Sequence, residues 1–143
     1  MGADPGSEAW SAMRDLMMAQ RGTMLAAASE LDLSPPQLLA LRALHPGEPA
    51  PMSALAQVLR CDASNVTGIV DRLEDRGLVQ RRPAPHDRRV KHLVLTERGE
   101  ELRRRAAAWL DAPPPGFEAL SADEQRELRD LLRKVAGAAP RPA

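Results

Sequence analysis

The chain has one cysteine, Cys61, in 143 residues. A lone thiol cannot close an intrachain disulfide, so a disulfide-stapled fold is excluded and a reducing compartment is expected. Net charge is also missing: 20 basic residues balance 20 acidic ones. The molecule as a whole therefore has no preference for polyanions. No apolar run approaches the roughly 20 residues of a membrane span, and no secretory leader pattern is visible. A soluble, cytoplasmic protein without membrane contact is expected. The three histidines, His45, His86 and His92, lack Cys, Asp or Glu at ligand spacing, which argues against a metal site. Ser-His-acid and phosphate-loop patterns are missing, and no carboxylate pair has a supporting site. Neither enzyme activity nor a cofactor is expected.

What is present is one domain's worth of chain, long enough for a real core, with charge distributed unevenly. Between Arg76 and His92 six cations (Arg76, Arg81, Arg82, Arg88, Arg89, Lys91) face one anion, Asp87. A patch of this kind acts on phosphate within a Debye length of roughly 10 Å, whatever the net charge. Arginine content itself carries no weight: 18 of the 20 basic residues are arginine, a bias that GC-rich coding also produces.

Residues 1–7 read as a frayed start. From Glu8 to Glu30, Trp10, Met13, Met17, Met24, Ala28 and Leu31 fall at helical spacing and predict a long amphipathic helix. Its Met- and Ala-rich stripe suits close or adaptable packing against another helix. Ser34, Pro35 and Gln37 form a helix start with a capping box, Leu33 and Leu38 are placed as a hydrophobic staple, and the helix stops before His45-Pro46-Gly47-Glu48-Pro49.

The next helix carries Met52, Leu55, Ala56, Val58 and Leu59. Asp62 caps another with Val66, Ile69, Val70 and Leu73 on its inner face, and Gly77 closes it at positive φ. Leu78–Arg82 and Val90–Leu95 read as two strands, with Pro83 and Pro85 keeping the loop between them out of the ladder. Thr96 caps a helix that runs past Leu102 and Trp109 to the break at Pro113-Pro114-Pro115-Gly116. A last helix starts at Ser121 with Glu124 as its capping-box partner. It carries Leu128, Leu131, Leu132 and Val135 and ends at Gly137. The expectation is a mainly α fold of about six helices with a small β-hairpin.

Helix, turn, helix, basic hairpin over residues 52–96 is the order of a winged helix-turn-helix. With the apolar stripe turned inward, Ser64, Asn65, Thr67, Gly68, Asp71 and Arg72 lie on the outer face of the second motif helix. Short polar groups near a helix N-terminus reach base edges, and small residues admit close approach. Asn65 can bond an adenine edge, and Thr67 can touch a thymine methyl or a phosphate. In the hairpin loop, His86, Arg88 and Arg89 sit at the tip, where an arginine can enter a narrow minor groove. Asp87 is expected to bond a neighbouring guanidinium or loop N–H and so brace the wing. Arg81, Arg82 and Lys91 are expected to meet the DNA backbone. The same residues admit other readings: an ordinary solvated helix face, a winged-helix protein-interaction module that does not read DNA, or a small-molecule-binding protein without DNA activity. Cys61 reads as a packing residue between the motif helices, with redox sensing as the alternative.

The blocks LSPPQLLALRAL, LAQVLRCDASNVTGIVDRLEDRGLVQRR and DRRVKHLVLTERG resemble the MarR family of bacterial transcription regulators across nearly the whole chain. The resemblance implies an obligate homodimer whose N- and C-terminal helices interlock, with two winged domains on a palindromic site of double-stranded DNA. It implies a repressor relieved by a small-molecule effector, or one that responds to cysteine oxidation. It puts Ser64, Asn65 and Thr67 on the recognition helix, Arg89 at the minor-groove arginine and Asp87 at the wing brace. It divides the chain into an N-terminal dimerisation helix (1–33), a winged DNA-binding domain (34–96) and C-terminal dimerisation helices (97–143). The family's effector cleft lies between dimer helices and winged domain, with Trp10, Arg14, Met17, Leu44 and His45 as candidate linings. The Pro113–Gly116 run departs from the pattern by interrupting a helical passage that is usually longer.

Overall fold

The computed structural model describes residue 2 and residues 4–138. Its first helix, α1 (Pro5–Glu30), begins ahead of the expected start at Glu8 because Asp4 is an N-cap. The Asp4 carboxylate accepts the Ser7 N–H at 3.2 Å, and Pro5 supplies the preset φ of a first helical residue. Residues 4–7 are thus ordered rather than frayed, while residues 1 and 3 lie outside the described residues. Leu31 and Leu33 then turn into the core around Asp32, whose φ is +52°.

The helix α2 (Pro35–Ala43) starts on the expected reciprocal box: Gln37 N–H donates to Ser34 Oγ at 3.3 Å, and Ser34 N–H donates to Gln37 Oε1 at 3.0 Å. Two residues, Ala50–Pro51, form a strand, β1, between the expected break at His45–Pro49 and the next helix. The motif helices are α3 (Met52–Leu59) and α4 (Ala63–Asp75). Between them Arg60 takes a left-handed φ of +50°, and the Cys61 N–H bonds the Ala56 carbonyl at 3.2 Å. Gly77, at φ +70°, turns the chain from α4 into β2 (Val79–Pro83). Strand β3 (Lys91–Leu95) pairs antiparallel with both β1 and β2, giving the order β1-β3-β2.

The ladder runs further out than the prolines suggest, since Pro83 pairs with Lys91. The Ala84 N–H points inward to the Val90 carbonyl at 2.8 Å. By strand alternation, the N–H that Pro83 lacks belongs on the outer side of an edge strand, where nothing is lost.

The helix α5 (Glu97–Leu110) is capped by Thr96, whose Oγ1 accepts the Gly99 N–H at 3.0 Å and donates to the Gly77 carbonyl at 2.6 Å. Gly99 allows the approach: a Cβ there would lie 1.9 Å from the Leu78 carbonyl oxygen. The core formed by these elements joins Ala27, Leu31, Leu38, Leu41, Leu55, Val66, Val70, Leu73, Leu93 and Ala106.

The chain forms two compact units, Met1–Ala112 and Pro113–Ala143, and all the elements above belong to the first. In the second, Gly116 at φ +101° leads into a 3-10 turn, Phe117–Ala119, and then α6 (Ala122–Ala138). Its start is the expected capping box: Ser121 N–H donates to Glu124 Oε2 at 2.7 Å, and Glu124 N–H donates to Ser121 Oγ at 3.2 Å. Gln125 Nε2 donates to the carbonyls of Phe117 and Leu120, each at 3.1 Å, so the residues after the proline run are a tied turn. The helix continues one residue past Gly137, and residues 139–143 lie outside the described residues. No helix among the described residues is long and apolar enough to cross a membrane.

Candidate nucleic-acid interface

The amino end of α4 is fixed by Asp62. Its carboxylate accepts the Asn65 N–H at 2.9 Å and the Ser64 hydroxyl at 2.7 Å. The Asn65 N–H first, then the Ser64 hydroxyl, hold the Asp62 carboxyl below its ordinary range, so it is ionised at neutral pH. Val66, Val70 and Leu73 turn into the core, which leaves Ser64, Asn65, Thr67, Gly68, Asp71 and Arg72 exposed.

Two of the expected reading groups have spent their protons inside the helix: Ser64 donates to Asp62, and Thr67 Oγ1 donates to the Ala63 carbonyl at 2.9 Å. They can still accept a bond, and Thr67 retains its methyl. The Asn65 side chain is exposed, and nothing lies within 4 Å of where a Gly68 Cβ would be. Packing within the chain therefore does not demand a glycine there. Asn65, Gly68 and Arg72 border an open hollow of about 390 Å³ whose other wall is the N-cap Ser34 with Pro36 and Gln37 of α2.

The wing loop is closed by short bonds of its own. Val90 N–H meets the Asp87 carbonyl at 3.1 Å, and Arg89 N–H meets Asp87 Oδ1 at 2.9 Å. Of the two partners expected for the Asp87 carboxylate, it takes the loop N–H. Arg88 and Arg89 occupy the resulting turn, and His86, Arg88, Arg89 and Lys91 are all exposed. Arg82 is exposed as well, with Nη2 at 3.2 Å from Gln80 Oε1.

Arg81 departs from its expected place among the backbone contacts. Its guanidinium lies between Glu74 Oε1 at 2.7 Å and Asp71 Oδ1 at 2.5 Å, both on α4. Burial opposes the charge, but the two carboxylates outweigh it and raise the Arg81 pKa. Glu74 is held below the ordinary carboxylate range, chiefly by the Arg81 backbone N–H. Both terminal nitrogens of this guanidinium are thus engaged by carboxylates of α4. Sequence spacing gave no sign of the cluster, because positions 74 and 81 meet only across the turn at Gly77. Arg76 is committed as well: its guanidinium donates to the carbonyls of Asp32 and Leu31 at the end of α1.

The five expected effector-lining residues are not gathered into one place. Leu44 is 2% exposed and belongs to the core, so it lines no cleft. Trp10, Arg14 and Met17 are exposed on α1, and His45 is exposed beyond α2. A separate groove of about 250 Å³ opens between α2, α3 and α5. Arg42, Val58, Arg103 and Asp111 line it, with Arg42 paired to Asp111. Arg103 Nη2 lies 3.5 Å from His45 Nδ1, and its Nε is buried without a partner. Cys61 is half-buried and packs against the core while bordering a second hollow with Leu59 and Ile69. Among the described residues no cluster of His, Cys, Asp or Glu is arranged to hold a metal.

Residues 33–91 match the model of the MarR family. The transcriptional repressor MprA of Escherichia coli is 37% identical over 89 residues, which span 58% of this chain and 48% of MprA. The chain thus spans about half the length of the first curated relatives it matches. The HTH-type transcriptional repressor NicR of Pseudomonas putida is 34% identical over 116 residues, 76% of this chain and 69% of NicR. The crystal structure of CouR from Rhodococcus jostii, bound to p-coumaroyl-CoA, superposes with a TM-score of 0.74 at 27% identity, covering 99% of this chain and 100% of that one. Fold, motif and relatives agree: the chain belongs to the MarR family.

Proposed function

We propose that this chain is a homodimeric transcription regulator, a repressor that binds a palindromic DNA site and is released by a small-molecule effector. The observation that carries this reading is the pairing of α4 with the wing. A capped helix with an exposed face of short polar side chains stands beside a braced turn of exposed arginines. Asn65, Ser64 and Thr67 read base edges in the major groove, with Gly68 admitting the DNA. Arg88 and Arg89 enter the adjacent minor groove, while Arg72, Arg82, His86 and Lys91 hold the backbone. Half-site centres lie about one helical turn, roughly 10 bp, apart.

Dimerisation falls to residues 1–33 and 97–143, and DNA binding to residues 34–96. Trp10 and Met17 on α1 are 53% and 60% exposed, and Leu131, Leu132 and Val135 on α6 are exposed too. Apolar rows of this kind on two helices call for a second copy. Release follows if an effector favours a dimer whose α4 helices no longer fit successive grooves. The ligand in CouR supports a small-molecule effector here, and the groove lined by Arg42, Val58, Arg103 and Asp111 is a place for one.

The test is a gel shift with the DNA flanking the protein's own gene. A discrete shifted band that survives excess unrelated DNA supports the proposal. No band at low salt would favour a protein-interaction module instead.

A further inference from the structure

We infer that Arg81 is a positioning residue that locks the wing to α4, so that helix and wing meet DNA as one rigid unit. The inference rests on the reading of the chain as a DNA-binding regulator. It gives Arg81 a role other than the phosphate contact that its place in the sequence suggests.

Both parts of the residue are held by the same helix. The Arg81 backbone N–H donates to Glu74 Oε2 at 2.9 Å, and its guanidinium donates to Glu74 Oε1 at 2.7 Å. The other fork arm reaches Asp71 Oδ1 at 2.5 Å. Asp71 and Glu74 are one helical turn apart and so share a face of α4. Arg81 sits in mid-strand on β2, opposite Leu93, at the root of the loop that carries Arg88 and Arg89. The turn from α4 into β2, with Gly77 at φ +70°, is closed by the Gly77 N–H on the Glu74 carbonyl at 2.8 Å and the Leu78 N–H on the Leu73 carbonyl at 2.9 Å, and Leu73, Leu78 and Val79 share the core. These contacts hold the base of the hairpin, and the bidentate clamp adds a tie further along β2, on the side of the wing loop.

Charge points the same way. One guanidinium between two carboxylates is a site of net −1, which repels phosphate. Two acids on the exposed side of a recognition helix weaken nonspecific DNA attraction, and holding the wing in register gives them a use there. With Arg81 enclosed and Arg76 turned to the end of α1, grip is left to Arg72, Arg82, Arg88, Arg89 and Lys91.

The test measures affinity against salt concentration by fluorescence anisotropy, with the chain's own flanking DNA and with unrelated DNA. Arg81→Lys keeps the charge but replaces the planar fork, whose two arms reach separate carboxylates, with a single flexible ammonium. It should lose roughly tenfold on the specific site, close to the loss in Arg81→Gln, with the salt slope unchanged in both. Glu74→Gln should also weaken specific binding, although it removes a negative charge near DNA. Adding it to Arg81→Gln should cost little more. Asp71→Asn, at a carboxylate that is 54% exposed, keeps the fold intact and should show a smaller loss in the same direction.

Rescue by Arg81→Lys overturns the inference, as does a slope lowered by about one unit in Arg81→Gln, or tighter specific binding in Glu74→Gln. In those cases wild-type binding survives and the broader reading stands. Wild-type failure to bind any DNA overturns both.

Discussion

Gly99 is the residue where the fold leaves least room. A methyl group there would meet the Leu78 carbonyl oxygen at 1.9 Å and Leu95 Cδ2 at 3.1 Å. Gly99→Ala should therefore destabilise the protein by roughly 3 kcal/mol, through overpacking at a rigid helix-strand contact; urea unfolding checks it. Gly68, with open space around it, should tolerate alanine in the same assay while losing DNA affinity.

Acid stability is also decided by single residues. Asp62 is lowered by the Asn65 N–H and Ser64 hydroxyl, and Glu74 by the Arg81 N–H. A carboxyl lowered in the folded state stabilises fully above its unfolded pKa and loses that contribution as pH falls through the folded value. The urea midpoint should hold from pH 7 down to about 4.5 and then drop. Asp62→Asn, which keeps an acceptor but cannot titrate, should flatten part of the drop. Residues with local partners were legible: Asp62, the Ser34–Gln37 box, Gly77 and Thr96 act within four positions of themselves or at a turn. The ion-paired tie of Arg81 was not legible, because its partners on α4 lie across that turn and side-chain type alone does not distinguish a phosphate contact from such a tie.

Among the elements, α1 ends in a left-handed turn at Asp32, where the Asp32 N–H reaches the Ser29 carbonyl at 3.1 Å and the Leu33 N–H the Ala28 carbonyl at 2.8 Å. It has no basic residue in its last turn, where free carbonyls and the negative end of the helix dipole favour a cation. Arg76, arriving from the end of α4, donates to the Leu31 and Asp32 carbonyls and fills that role. Arg76→Ala should cost about 1–2 kcal/mol of stability, as expected for part-buried charge-assisted bonds, measured by urea unfolding. Helix order and the two wing strands followed from apolar spacing and caps. Strand β1 did not, because two residues, one of them a proline, carry no period; it exists only as a pairing of Ala50 with Leu93 and Pro51 with His92. The start of α1 was legible in Asp4-Pro5 but stood outside the apolar stripe that defined the helix.

For the whole molecule, net charge near zero conceals a division of labour: a cationic wing on a chain that is acidic elsewhere. The exposed rows on α1 and α6 were visible as amphipathic stripes, whereas what covers them is no property of one chain. Met17→Asp, at a side chain 60% exposed here, should shift the protein toward monomer in sedimentation velocity while far-UV circular dichroism stays the same. A free monomer offers one half-site reader in place of two, so palindrome affinity should fall with it. The most direct test of the central claim is the salt dependence of DNA binding in wild type and Arg89→Ala. Wild type should weaken log-linearly with salt, and Arg89→Ala should show a lower affinity with a slope reduced by about one unit. An Arg89→Ala protein with unchanged affinity and slope would contradict the claim.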